Sequence, residues 1–362
     1  MPTIYFTVTT TLSYDQRMIR ICTSLANAGY KVVLVGIQIN SSIPLTLQPY
    51  KQKRLKCFFN KGVFFYAEYN TRLFIYLLFK KMDGICAVDL DTILPCFIIS
   101  KIKKIKRIYD AHELFCEMKE VVTRKKIYGI WKWIEQHTVP HFVHGCTVNK
   151  SIAEEFFAMY GSHFKVIRNI ALWAPSQQQE KKEKYILYQG AVNEGRSFET
   201  LIPAMQTVNA PLYICGDGNF MQLAKDLAEQ HKVTGKIFFK GMISPPELKT
   251  YTSHAYIGLT LFENNGLSNY YSLANRFFDY IQAGVPQLCV NFPEYKEINN
   301  LHEVAVLIDD VSPDNISRQL NNLINDEEKW AKLSLNGINA AKFLNWQNEE
   351  KILLAFYKNI FG

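Results

Sequence analysis

Short, almost wholly apolar runs alternate along the chain with longer stretches in which apolar residues recur every three or four positions. TIYFTVT at 3–9 is the first such run. In residues 15–28, Met18, Ile21, Cys22 and Leu25 share one helical face, and Gly29 stops the helix. KVVLVGI follows, apolar on both faces, as a strand inside a parallel sheet must be. This β-α-β opening predicts a doubly wound α/β fold. GICAVD (84–89), KRIYD (106–110) and GCTVN (145–149) continue the series, and 151–160 reads as a helix capped by Ser151. Residues 173–184 are polar, carry no period and make the best linker. A second series begins at YILYQG (185–190). It continues through YICG (213–216), KIFFKG (236–241), AYIGLTLF (255–262), PQLCV (286–290) and VAVLI (304–308). Two consecutive Rossmann-like, doubly wound parallel-sheet domains are therefore expected, 1–172 and 185–344.

The length of 362 residues suits two domains, and 48% hydrophobic with 20% charged residues excludes a disordered chain. No run reaches the ~18 to 20 uncharged apolar residues of a membrane span. MPTIYFTVTTTLSYDQR lacks the basic start and cleavage site of a signal peptide. The eight cysteines form no CxxC and no Cys/His cluster, which fits reduced thiols in a cytoplasmic protein. Charge is uneven. Residues 1–180 hold 24 basic and 13 acidic side chains, while the whole chain is only +8. A basic first half points to an anionic partner: nucleic acid, an anionic membrane surface or a lipid-phosphate-linked acceptor. A solvated basic face is the plainer alternative. The aromatic, Lys- and Arg-flanked region 60–82 fits either an amphipathic helix docked on a membrane or a buried helix of the first domain.

Six polar loops follow strands, where α/β folds place their ligands. In TTTLSYDQR (9–17), Asp15 and Arg17 start a helix, an end that favours anions; a cap formed by Ser13 or Asp15 explains the pattern equally well. VDLDT (88–92) sets Asp89 and Asp91 two apart, with no third acidic or histidine partner nearby to make a metal site. In YDAHELFCEMKE (109–120), His112 sits just past a strand between Asp110 and Glu113, a better place for a ligand group than for a packing residue. YQGAVNEGRSFETL (188–201) places Arg196 at a helix opening, suited to a diphosphate. CGDG (215–218) is a glycine-rich turn of low specificity. ENNGLSNYYSLANRFFDYIQAGVPQ (263–287) crowds Glu263, Gly266, Ser272, Asn275, Arg276 and Asp279 together. Arg276 and Asp279, three apart, share a helix face, giving a cation for phosphate and a carboxylate for a ribose diol; a surface ion pair would use the same spacing.

SLANRFFDYIQAGVP (272–286) resembles the donor-binding stretch of family-4 glycosyltransferases with the GT-B fold. Its pattern is that of a bacterial subgroup that reads SLPNK, two hydrophobics, [DE]-Y-x-x-AG-x-P. YDAHE resembles the loop whose histidine lies beside the transferred sugar, and VIRNI (166–170) the segment closing the first domain. QGAVNEGRSFETLI resembles the GR…KG…LI phosphate loop. LNWQNEEKILLAFY (344–357) resembles the terminal helix that returns to the first domain, so that 345–362 would complete it.

The resemblance implies two domains facing across a cleft and a retaining, metal-independent transfer from a nucleoside-diphosphate sugar to an acceptor hydroxyl. The nucleotide sugar is then a substrate and no cofactor is needed. By position, Arg196 matches the phosphate-loop lysine, Arg276 the lysine of SLPNK, Asp279 the ribose-binding glutamate and His112 the sugar-side histidine. Gly190, Asn193, Gly216, Gly218, Gly241, Glu263, Gly266, Ser272 and Asn275 would line the donor. Asp15, Arg17, Asp89, Asp91 and Glu113 would face the acceptor. The chain departs from the pattern where Ala191 replaces an arginine, Ala274 a proline and Tyr271 the first of two glutamates, and where TTTLSYDQR replaces a double glycine. A glycan or lipid-linked acceptor and peripheral contact with the inner membrane face are implied, and nucleic acid is not. Bacterial cell-surface polysaccharide or lipopolysaccharide synthesis is the natural setting. A catalytically inactive glycan-binding or scaffold subunit and a nucleotide-sugar epimerase are the alternatives.

Overall fold

A computed structural model describes residues 1–40, 42–174 and 182–362. The chain divides into two α/β units, Met1–Asn169 with Gln347–Gly362, and Ile170–Trp346. The first unit holds β1 (Thr3–Thr7), β2 (Lys31–Gln38), β3 (Lys51–Lys56), β4 (Gly84–Val88), β5 (Lys106–Ala111), β6 (His144–Thr147) and β7 (Phe164–Val166). They form one parallel sheet in the order β3-β2-β1-β4-β5-β6-β7. The second unit holds β8 (Glu183–Gln189), β9 (Leu212–Cys215), β10 (Ile237–Gly241), β11 (Ala255–Thr260), β12 (Gln287–Val290) and β13 (Ala305–Ile308). Their order, again parallel, is β10-β9-β8-β11-β12-β13. Each is a Rossmann-like doubly wound sheet, and in each the strand order reverses once, between β1 and β4 and between β8 and β11. Loops splay apart at such a switch point and leave room for a ligand.

The apolar runs become strands because helices cover them. Helix α1 (Gln16–Asn27) buries Met18, Ile21, Cys22 and Leu25, and Asp15 caps it by accepting from the Met18 amide. Helix α2 (Gly62–Leu78) buries Phe65, Tyr69, Leu73 and Leu77, one stripe at i, i+4 spacing. The 60–82 region is thus a packed helix of the first unit; Phe58, Phe59, Val63 and Phe64 at and before its start are exposed. The C-terminal helix Trp346–Phe361 packs in the first unit. Tyr357 meets Phe6 at 6.0 Å, and a Cβ on Gly84 would lie 2.3 Å from the Phe361 ring.

Several expectations need correction. The cap of the helix Lys150–Tyr160 is Asn149, whose side chain accepts from the Ile152 amide, and not Ser151. β3 and β7 are additional strands. β8 begins at Glu183, inside the expected linker, because its backbone pairs with Ala255; residues 175–181 of that linker lie outside the described residues. All eight cysteines are buried and unpaired. Among the described residues, no helix is long and apolar enough to cross a membrane.

Candidate active site

At the switch point of the first unit, charged side chains from three loops meet. Arg17, on the first turn of α1, is buried and chelates Asp110 at the end of β5, with Nη2 to Oδ1 at 2.7 Å and Nε to Oδ2 at 3.3 Å. Its Nη1 donates to the Ile167 carbonyl at 2.9 Å. Arg17 was expected to face the acceptor. Its charge is instead neutralised inside the unit, where it ties α1 to β5 and to the VIRNI segment. Asp15 likewise serves as a helix cap and accepts from Thr10 Oγ1 at 3.1 Å. Arg54 of β3 pins the first loop by donating to the Thr11 carbonyl at 2.7 Å and to Ser13.

His112 lies between two carboxylates. Its Nδ1 is 3.1 Å from Asp89 Oδ2, and its Nε2 is 3.4 Å from Asp110 Oδ2, an ion-pair distance without hydrogen-bond alignment. The His112 amide also donates to Asp89 Oδ1 at 2.8 Å. Burial alone would lower its ionisation, yet Asp89 and Asp110 together lift it to about 10. His112 is therefore an imidazolium at neutral pH, a fixed positive charge and a poor general base. Burial would raise Asp110, but Arg17 and His112 hold it well below the usual carboxylate range. The isolated pair Asp89 and Asp91 of the sequence thus belongs to a larger cluster, which the β4–β5 pairing assembles. Asp91 is driven up to about 7 by burial and by the charge of Asp89, against a hydrogen bond from Thr9. Glu113 stands close enough to add to that field.

In the second unit, the loops after β8, β9 and β10 are laced together. The Gly190 amide donates to the Cys215 carbonyl at 3.0 Å, and the Gly216 amide to the Gly241 carbonyl at 2.9 Å. A Cβ on Gly216 would lie 1.8 Å from the Gly190 carbonyl oxygen, and one on Gly218 would lie 2.3 Å from the Val192 carbonyl. Only glycine allows these backbones to approach so closely. Asn193 Oδ1 accepts the Asn219 amide at 3.1 Å and holds the same turn.

Arg196 and Arg276 stack on the same ring: their guanidinium carbons lie 4.5 and 4.7 Å from the centre of Phe262. Arg276 also sits 4.8 Å over Tyr188, is buried, and donates through Nε to the Leu259 carbonyl at 3.1 Å. Its Nη1 reaches to 3.5 Å from where a Gly190 Cβ would sit, and so it overhangs the first glycine loop. Two guanidinium groups on one ring repel each other and create an anion-seeking potential. Arg196 Nη1 donates to Asn269 Oδ1 at 2.7 Å. Asn269 donates to Asn265 Oδ1 at 2.8 Å, and Asn265 to Glu263 Oε2 at 2.7 Å. Glu263 is thereby linked to Arg196 through two asparagines. Gly266 precedes the short helix Leu267–Tyr270, Ser272 Oγ is 3.3 Å from the Tyr295 hydroxyl, and Asn275 is exposed at the start of the helix Asn275–Gln282. Asp279 accepts from Gln189 Nε2 at 2.8 Å, and Gln189 Oε1 accepts from Thr252 Oγ1 at 2.7 Å.

Gln189, Thr252, Asn269, Tyr188 and Phe262 were not singled out in the sequence. The signal for Gln189 was its place immediately before Gly190, at the end of an otherwise apolar strand; the others are recognisable only by what they touch.

Residues 170–340 match the model of the family described as glycosyl transferases group 1. No curated protein matches the chain by sequence. Among solved structures, sucrose-phosphate synthase from Thermosynechococcus elongatus is similar over 100% of this chain and 99% of its own, with a TM-score of 0.80 and 14% identity. Anabaena HepE, solved with UDP and glucose, is similar over 99% and 100%, with a TM-score of 0.77 and 12% identity. WaaG, a glycosyltransferase involved in lipopolysaccharide biosynthesis, is similar over 99% and 100%, with a TM-score of 0.71 and 13% identity. At such identities the likeness is one of fold. The chain therefore has the GT-B fold of these proteins, and the match to the glycosyl transferases group 1 model lies within its second unit.

Proposed function

We propose that this chain moves a sugar from a nucleoside-diphosphate sugar to an acceptor hydroxyl with retention of anomeric configuration. The observation that carries this reading is the pair Arg196 and Arg276 stacked on Phe262 beside the glycine loops, with Asp279 held by Gln189. Two cations suit a diphosphate, and an oriented carboxylate suits a ribose diol. Anabaena HepE, which shares the fold, binds UDP and glucose. On this reading the donor occupies the second unit and the acceptor the first. The bond from the anomeric carbon to the diphosphate breaks as the bond to the acceptor oxygen forms on the same face. The acceptor proton passes to a phosphate oxygen of the departing diphosphate. Arg196 and Arg276 take the place of a metal in stabilising that leaving group.

His112, as a cation, would act through its field on the sugar and not by removing a proton. A cytoplasmic enzyme of bacterial polysaccharide or lipopolysaccharide synthesis, acting on a glycan or lipid-linked acceptor, fits this chemistry. The exposed Phe58, Phe59 and Phe64 beside Lys56 and Lys61 support peripheral contact with an anionic membrane face. Binding to anionic vesicles should then fall as salt rises; no binding at low salt would remove this part of the reading.

The decisive test is titration of UDP, GDP, dTDP and CMP into the protein and its Arg276→Ala variant, with transfer followed by nucleotide release. Arg276→Ala should weaken nucleotide binding by about tenfold or more and abolish transfer. Full transfer by the variant would refute the role of Arg276. Binding of none of the nucleotides by the wild type would favour a non-catalytic glycan-binding subunit.

A further inference from the structure

Just beyond β1 and β4, one corner of the charged cluster is left incomplete. Asp91 lies in the short turn Leu90–Thr92 and is 9% exposed. Its Oδ2 accepts from Thr9 Oγ1 at 2.5 Å, whereas its Oδ1 is buried without a hydrogen-bond partner. Asn70, on α2, donates to the Tyr66 carbonyl at 2.9 Å and to the Asp91 carbonyl at 3.0 Å; its own Oδ1 is likewise buried without a partner. Two acceptor oxygens from neighbouring residues therefore lack donors. A buried acceptor without a donor is unfavourable, and a ligand bearing hydroxyls would relieve both.

The backbone is held to this arrangement at a cost. Asp89 has φ 56° and ψ 171°, a conformation that residues other than glycine rarely adopt. Its amide bonded to the Asp110 carbonyl at 2.9 Å, and its side chain bonded to the His112 amide, keep it there. That turn places Asp91 beside Thr9 and Asn70. Strain retained at a switch point, next to unsatisfied acceptors, marks a ligand position. A metal ion fits less well, because among the described residues no group of three or more His, Cys, Asp or Glu side chains is arranged to hold one.

We propose that Asp91 Oδ1 and Asn70 Oδ1 form a subsite that accepts hydrogen bonds from hydroxyl groups of the saccharide acceptor. The assignment rests on the glycosyltransferase reading above and fixes where in the first unit the acceptor sugar is gripped. The groups that set the charge on Asp91 are Asp89 and Glu113, which raise its pKa, and His112, which lowers it. Tyr66, Tyr69 and Cys96, which also face it, remain neutral across the range considered. With Asp91 ionising near 7, its oxygen becomes a full acceptor between pH 6 and 8, so hydroxyl binding should strengthen over that interval.

The test uses Asp91→Asn in the full chain. An amide oxygen there keeps the bond from Thr9, while an N–H2 group, a donor that carries no charge, replaces the acceptor Oδ1. The probes are methyl α-D-glucopyranoside, methyl α-D-galactopyranoside and methyl α-D-mannopyranoside, read by saturation-transfer NMR at pH 6 and 8. Nucleotide titration and the thermal midpoint are the controls. The variant should keep its melting temperature and nucleotide affinity, bind the glycosides about tenfold or more weakly, and lose the pH dependence. Equal glycoside binding by both proteins, or none by the wild type, would overturn the subsite. So would a variant with a lowered melting temperature and weakened nucleotide binding, which would make Asp91 a structural residue. Failure of the wild type to bind any of UDP, GDP, dTDP or CMP would instead sink the glycosyltransferase reading itself.

Discussion

Replacing Ser197 by glycine should stabilise the second unit. Ser197 follows Arg196 in the loop after β8 and stands at φ 58° and ψ 28°, in the left-handed region. It is fully buried, and its hydroxyl has no hydrogen-bond partner. The left-handed conformation costs a non-glycine residue about 1 to 2 kcal/mol. A buried hydroxyl without a partner adds about 1 kcal/mol or more. Against this, glycine frees the unfolded chain by about 0.5 to 1 kcal/mol, and removing a small buried side chain costs roughly another 1 kcal/mol. The balance favours the variant by about 1 kcal/mol. In a unit of this size that raises the melting temperature by about 2 to 4 °C. The GR…KG…LI pattern that this loop resembles carries glycine at the matching position. Calorimetry of Ser197→Gly beside the wild type, with nucleotide titration on both, measures the effect. An unchanged or lowered transition would show that the serine is not strained and that its hydroxyl is satisfied.

Three more outcomes follow from the geometry. The ionisation of His112 is raised to about 10, so its charge stabilises the folded state fully below about pH 6.5, and that contribution fades as pH climbs through 10. The thermal midpoint should fall across this window in the wild type and much less in His112→Gln; parallel profiles would contradict the ion pairing with Asp89 and Asp110. Asn149→Ala should lose about 1 kcal/mol in chemical denaturation, while Ser151→Ala should change it by a few tenths at most. Gly216→Ala forces a methyl group against the Gly190 carbonyl and should cost about 3 kcal/mol or more, seen as a lower urea midpoint together with loss of nucleotide binding.

The strands that could be read directly from the sequence are those whose two faces are both covered. KVVLVGI of β2 is buried from Val32 to Gly36 and beyond, so its composition alone announces it. β3 has the sequence KQKRLK and lies at the sheet edge, where solvent meets its side chains and no apolar pattern is required. Lysines also discourage another chain from pairing there. β7 is three residues long, too short for any period to develop. Asn149 and Ser151 are both good cap residues, and only the extended backbone of Asn149 decides between them.

At the site, the arginines and glycines stood out because each follows a strand within a recognisable string. Their supports did not. Gln189 and Asp279 are 90 positions apart, and Arg17 and Asp110 are 93 apart; strand order alone brings each pair together. Arg17, which the resemblance sets at the acceptor end, is in the same way joined by folding to a carboxylate distant in sequence.

The return of the last helix to the first unit has a consequence for biosynthesis. Strands β1 and β4 are finished early, but the aromatic side chains that pack against Phe6 and Gly84 are Tyr357 and Phe361, which are translated only after the whole second unit. Between them the ribosome must make all of Ile170–Trp346, which takes roughly 10 to 35 s at about 5–20 residues per second. For that interval the older part of the chain carries an uncovered apolar groove, while the younger part has everything needed to fold. The second unit should therefore mature first, and the nascent first unit should be the portion that engages chaperones.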